Sequence, residues 1–393
     1  MEKKETIWTY NFVALFLANV VLFFGQFMMS TLLPKYLSAL GHSTTVIGFV
    51  VGMFSVTALG TRPITGPLID GMNKKKLFMC MLSFTAITSF GYAMVTSVPG
   101  FICFRLLSGV GSGCSSALAL TMATESLPES KLASGISVYG LSSVLPNAFG
   151  PGLGLAIAEK YSYRVAFVFS GVLIVIAILM ASRMRFENKP GQRISFRLNN
   201  IVVPECLIPA SLLMLLSLAR NCFSTYLVIY ITEYRCIEGI SLYYTIYAAA
   251  LIVTRPIMGK LADRFGIPSA LYPSYIIFAA GLLTLAFCTK TWQLWLAAVL
   301  IACGYGVTQS QHQALTMKVA PKDRRGAAST TAFFGIDVGD LLAPVINGAL
   351  ITAVGYQNVY LLALVPLGAC ALGFTCWLRK NRGIPDAPES AEG

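Results

Sequence analysis

A ten-residue stretch occurs twice in this chain, 193 positions apart. The first copy is Thr61-Arg62-Pro63-Ile64-Thr65-Gly66-Pro67-Leu68-Ile69-Asp70. The second is Thr254-Arg255-Pro256-Ile257-Met258-Gly259-Lys260-Leu261-Ala262-Asp263, and seven of the ten positions agree. Each copy starts as the tail of an apolar run and ends in a charged turn. The offset recurs in Pro128 with Pro321 and Pro151 with Pro344. Gly109 and Gly111 match Gly304 and Gly306 at 195, as do Leu120-Thr121-Met122 and Leu315-Thr316-Met317. An ordered series at nearly constant spacing points to a duplicated architecture, with a slip of two residues inside it.

What the two halves face follows from charge. Only 12% of the residues are charged and 56% are hydrophobic, with a mean hydropathy of +0.70. A soluble domain carries about 25% charged residues, so this surface faces lipid. A span needs roughly 20 apolar residues. Twelve such helices are expected, at about 10–33, 45–66, 77–96, 100–122, 134–157, 164–182, 205–230, 241–259, 269–289, 292–316, 327–351 and 357–378. The expected fold is an all-α membrane protein of two six-helix bundles. Residues 1–182 form the first bundle, 183–203 a basic linker, 204–380 the second bundle and 381–393 a tail. No cleavable signal peptide is expected, because the first apolar run is too long and lacks a clear cleavage site.

The net charge of +12 is a matter of topology rather than of nucleic-acid binding. With the N-terminus in the cytoplasm, twenty lysines and arginines fall inside and five outside, while Arg62, Arg105, Arg220 and Arg255 lie within spans. The positive-inside rule then places both termini in the cytoplasm of a multi-pass protein of the plasma or inner membrane. The halves have the same orientation, so the repeat axis runs along the membrane normal. The ten cysteines show no CxxC or Cys/His metal spacing, and scattered cysteines in apolar runs act as small packing residues.

At this point the chain resembles the major facilitator superfamily over nearly its whole length. The run from Gly66 through Asp70 to Lys76 resembles that family's loop signature between the second and third helices, although Gly71 stands where arginine is usual. Gly259-Lys260-Leu261-Ala262-Asp263-Arg264-Phe265-Gly266 matches it more closely. Arg105 with Gly109, Gly111 and Gly113 resembles the fourth-helix motif. Gly150-Pro151-Gly152-Leu153-Gly154, after Pro146, resembles the fifth-helix motif of drug and metabolite antiporters.

The resemblance implies a cytoplasmic gate of Gly66, Asp70, Lys74, Lys75, Glu125, Gly259, Asp263 and Arg264. Asp70 is expected to face the helix that opens near Gly326-Ala327, with Glu125 pairing with Lys74 or Lys75. A carboxylate is stabilised at a helix N-terminus by the unpaired amides there. The resemblance also implies that Pro146, Gly150, Pro151 and Gly154 bend the fifth helix and pack it on the eighth, since glycines admit close helix contact.

Charges inside a span are costly and mark pathways. Asp337 and Asp340 lie three apart on the eleventh span, hence on one helical face. They are read as a proton-coupling pair, with Arg105 as the electrostatic counterpart. Asn147 is the first-half equivalent of Asp340. Substrate-facing candidates are Asn19, Gln26, Asn147, Arg220, Tyr226, Gln309 and His312, with structural hydrogen bonding the competing role for His312 and Asp340 a possible partner for Arg220.

Together these features predict a proton-coupled exporter of a small organic molecule (a drug, metabolite or metallophore) that works by alternating access as a monomer in the bilayer. The proton gradient is the expected energy source, with no cofactor, metal or nucleic acid. The alternative is a proton-coupled importer. A membrane-embedded enzyme is more distant: His42 and His312 are the only histidines, and no HExxH, GxSxG or Walker sequence occurs.

Overall fold

The computed structural model describes residues 6–42, 44–186, 203–225, 227 and 230–380. The structure is helical. The first half contains α1 (Tyr10–Ala39), α2 (Thr44–Gly71), α3 (Lys74–Met94), α4 (Val98–Glu125), α5 (Leu132–Gly140), α6 (Val144–Lys160) and α7 (Tyr163–Ser182). The second contains α8 (Leu207–Thr225), α9 (Ile240–Phe265), α10 (Ile267–Ala286), α11 (Thr291–Val319), α12 (Arg325–Leu362) and α13 (Leu364–Lys380). Most of the expected linker, and all of the expected tail, lie outside the described residues.

Among the described residues, thirteen α-helices make up the twelve passes for two local reasons. The fifth pass is α5 and α6 joined by a 3-10 turn at Leu141–Ser143. Pro146 follows that turn; it has no N–H to give the carbonyl four residues back, and its ring crowds that carbonyl. The eleventh and twelfth passes meet inside α12, at Gly355, whose φ of 81° turns the chain. A left-handed φ of this kind suits glycine, which has no Cβ to clash. Gly266, with φ 84°, does the same between α9 and α10. Asn73 caps α3 by accepting from the Lys76 amide at 2.9 Å. Among the described residues, nine segments are long and apolar enough to cross a membrane.

The apolar cores show how the halves meet. One cluster crosses between them beside the hinges, joining Ile69, Leu118 and Ile136 to Ala262, Val307, Met317 and Ala327. At the opposite end, Met28, Leu32, Tyr36, Tyr92, Phe101 and Phe167 form a cluster confined to the first half. A large second-half cluster centres on Phe223, Phe278, Leu282 and Tyr360. The hinge end is therefore the sealed end.

Candidate functional site

Both hinge glycines bring a helix against the backbone of the other half. A Cβ on Gly66 would stand 2.9 Å from the Ala327 Cα, and one on Gly259 2.7 Å from the Ser134 Cα. That approach carries each hinge aspartate onto the first turn of a helix across the interface. Asp70 accepts from the amides of Gly326 (2.8 Å) and Ala327 (3.0 Å), at the start of α12. Asp263 accepts from Ala133 (3.0 Å) and Ser134 (3.2 Å), at the start of α5. Two carboxylates thus cap two helix N-termini reciprocally, each satisfying amides that have no partner inside their own helix.

Around them, Lys74 pairs with Glu125 at 3.2 Å. Glu129 meets Lys322 at 2.6 Å across the halves, and the ammonium holds that carboxyl below its usual range. Lys75 makes no ion pair among the described residues. Exposed Arg264 rests on the Phe265 ring, 5.0 Å from its centroid.

Deeper in, the repeat continues in two arginines. Arg62 is 4% exposed and donates through Nη1 to the Gly113 carbonyl and, at 3.0 Å, to Ser116 Oγ. Arg255 is 7% exposed and donates to the Gly306 carbonyl at 3.1 Å and to Gln309 Oε1 at 3.5 Å. Gly113 is equivalent to Gly306 at the offset of 193, and Ser116 to Gln309. The register on α4 and α11 is therefore 193 throughout, and the slip to 195 read from the glycines is corrected: Gly111 corresponds to Gly304, each packed on the helix before it.

The two arginines differ in their partners. Arg62 Nε binds Asp337 Oδ2 at 2.7 Å, joining α2 to α12, and its guanidinium lies 4.9 Å from the Phe333 ring centroid. No carboxylate reaches Arg255 among the described residues. Asp340 turns the other way, accepting from Arg220 (2.8 Å) and Asn221 (3.0 Å) on α8, within its own half. Between the halves lies a cavity of about 200 Å³, lined among others by Asn19, Gln26, Ser112, Tyr139, Arg255 and Gln313.

Among the described residues, the hydrogen bonds and ion pairs between the halves run from the hinges to the depth of the cavity. Two parallel six-span bundles, docked reciprocally at one end over a central polar cavity, are a recognisable arrangement. The family model described as Major Facilitator Superfamily matches residues 15–200 and 210–393. This chain belongs to the Major Facilitator Superfamily.

Among similar proteins of that superfamily is the staphylopine export protein of Staphylococcus aureus, 24% identical over 89% of this chain and 92% of that one. The quinolone resistance protein NorA of the same species is 22% identical over 84% of this chain and 87% of its own length. In fold, the proton:xylose symporter XylE superposes with a TM-score of 0.75 at 13% identity, covering 94% of each chain.

The remaining candidates of this facilitator protein divide between the cavity and the packing. Asn19 donates to the Tyr139 hydroxyl at 2.6 Å and Gln26 to Ser112 Oγ at 3.1 Å, both at the cavity wall with Gln309. His312 is fully buried away from the cavity, against the Tyr275 hydroxyl at 2.6 Å, so it makes the structural hydrogen bond. Asn147 is exposed and does not line the cavity. Tyr226 lies outside the described residues.

Two expected pairings are corrected. Arg105 does not face the aspartates; it packs 5.5 Å from the Phe54 centroid, beside Tyr92, while Arg62 and Arg220 hold the carboxylates. Asp337 and Asp340 are thus held by different arginines, Asp337 by Arg62 and Asp340 by Arg220. Gly150 and Gly154 face Phe27, Met28 and Leu32 of α1, not the eighth pass. Contact between fifth and eighth passes comes instead from Ser134 and Ser137 against Gly259, and from Val144 with Ala248 and Leu251. Pro146 is buried at the start of α6 and Pro151 half-buried one turn on.

The arginines and their carbonyl anchors were not singled out from sequence. The signal was present: both sit in the duplicated Thr-Arg-Pro.

Proposed function

We propose that this protein exports a small organic molecule in exchange for protons, by alternating access, from a plasma or inner membrane with both termini in the cytoplasm. The observation that carries the reading is the Arg62–Asp337 ion pair. It is the described ion pair that joins the halves beside the cavity, so opening the hinge end must break it. A proton on Asp337 removes its charge and favours that opening. Asp340, held within its own half, has no such requirement, and its role is to hold Arg220.

The cycle follows from that difference. With the hinge end sealed, a proton reaches Asp337 through the cavity from outside. The pair parts, the hinges undock, and the proton leaves toward the cytoplasm. Substrate enters, the ionised carboxylate returns to Arg62, and the reciprocal caps close again. Closure is favoured by four charge-assisted hydrogen bonds at two helix N-termini. Two similar proteins named for export and for drug resistance support the outward direction. The opposite direction is that of the symporter with the same fold.

Everted vesicles separate the two. Their lumen is acidified and candidate organic compounds are added to the exposed cytoplasmic face. Exchange predicts loss of the pH gradient on addition, dependent on Asp337. A gradient that collapses only when compound is loaded inside would establish import and overturn the reading.

A further inference from the structure

We infer that the central cavity recognises an anionic group on the substrate, a carboxylate or its equivalent, and that Arg255 is the residue that binds it. The inference rests on the transport reading above and names the substrate class of that same cavity.

Three observations converge on Arg255. First, it is the cavity's charged lining residue. The remaining described lining is hydroxyl, amide and apolar, with no carboxylate. Second, its surroundings are those of Arg62 with one component missing. Both guanidiniums are anchored to the carbonyl 51 positions on and to a side chain 54 positions on. Arg62 then meets Asp337. Subtracting 193 from Asp337, by the register of Pro151 and Pro344, gives Val144, an apolar residue packed with Ala248 and Leu251. The first half thus puts valine where the second half puts the carboxylate.

Third, the guanidinium reaches across the halves to that position. A Cβ on Gly140, one turn before Val144, would stand 2.5 Å from Arg255 Nη1. Glycine there leaves room for the guanidinium at the cavity wall.

A buried guanidinium with only neutral acceptors is under-compensated, because burial removes the hydration that would otherwise stabilise its charge. The protein neutralises one of its two repeat-related arginines with its own carboxylate. For the other, the compensating anion is the substrate. Planar, bidentate recognition of carboxylate is what a guanidinium does better than an ammonium. Such a ligand would lie between α9 of one half and α5 of the other, where it couples occupancy to closure. The serines of the wall, Ser142, Ser143 and Ser310, then supply neutral donors to the rest of the molecule.

The test is equilibrium binding to the purified full-length protein in detergent, read by thermal shift. The probes are matched aryl carboxylates and their primary amides: hippurate with hippuramide, N-acetylphenylalanine with its amide, and 2-naphthoate with 2-naphthamide. The parent should bind acids at least about tenfold more tightly than amides, the scale of one charge-assisted hydrogen bond. Arg255→Gln should bring the ratio below about twofold.

Val144→Asp should do the same while keeping the arginine, by supplying in cis the carboxylate that the repeat places there. Arg255→Lys keeps a cation and should retain part of the preference, which separates lost charge from lost packing. Equal affinity for acids and amides in the parent, or failure of every acid to bind, overturns the inference. So does an acid preference that survives in both Arg255→Gln and Val144→Asp. No gradient is involved, so this result stands apart from the vesicle exchange that tests transport direction.

Discussion

Replacing Asp337 with asparagine removes the charge from the one described ion pair that joins the halves at the cavity while keeping the side chain's shape. At 2.7 Å the pair is close, but a quarter of the Asp337 side chain is exposed, so water screens part of its attraction. A hydrogen bond to a charged partner contributes roughly 1.5–3 kcal/mol, and the neutral bond that asparagine can still accept about 1 kcal/mol. The closed hinge end should therefore lose roughly 0.5–2 kcal/mol relative to the open one, about a two- to thirtyfold shift in their ratio.

Ser329 reports it. It is fully buried in the sealed interface, bonded to Thr121 across the halves at 2.8 Å. With the ten native cysteines replaced, the labelling rate of Ser329→Cys by N-ethylmaleimide should rise by that factor in Asp337→Asn. Divided by the rate of a free thiol at the same pH, since only the thiolate reacts, labelling should rise on acidification in the parent and not in the variant. Adding Arg62→Gln removes the buried cation left without its partner, and labelling should fall back toward the parent, with a measurable coupling energy. Unchanged labelling in Asp337→Asn would refute the claim that this pair holds the halves together.

Other substitutions separate gate, packing and site. Asp70→Asn and Asp263→Asn should each raise Ser329→Cys labelling, and by similar factors, because the two caps are made alike; an effect confined to one would break the reciprocity. Gly154→Leu overfills the contact between α6 and α1, where a Cβ is already 3.2 Å from Leu32 and Met28. It should lower thermal stability by about 1–3 kcal/mol, with no proton leak specific to the fifth–eighth interface. His312→Phe should cost about 1–3 kcal/mol of stability by leaving the buried Tyr275 hydroxyl only the weak Cys370 thiol contact at 3.8 Å, yet leave probe binding in the cavity unchanged; weakened binding would return His312 to the site.

Legibility in the sequence depended on repetition. The hinge stood out because it occurs twice, at Asp70 and Asp263, and the resemblance of that motif to the superfamily's loop signature implied the docking of Asp70 against Gly326 and Ala327. The twelve passes could be marked because a bilayer fixes their length. What periodicity does not give is the rotation of each helix in its bundle. Asp337 and Asp340 share a face in projection, but residues three apart still point about 60° apart and about 4.5 Å along the axis, enough for one to meet Arg62 of α2 and the other Arg220 of α8. Likewise Gly150 and Gly154 announce a close helix contact without saying which neighbour fills it, and α1 does. His312 sits among Gln309, Gln311 and Gln313, and only the packing of α10 and α13 shows that it points away from the cavity. The fifth pass breaks before Pro146 for a reason visible in the residues themselves.

The central claim is that a proton exchanges a sealed hinge end for a sealed opposite end. Two spin-label pairs on the protein in proteoliposomes test it together. Lys76 and Lys322, exposed in the first and second halves, report the hinge end. Tyr161 and Trp292, exposed at the starts of α7 and α11, report the other. On acidification the account predicts that the first distance lengthens while the second shortens, and that both changes disappear in Asp337→Asn. Distances that stay fixed, move in the same direction, or still respond in Asp337→Asn would contradict it.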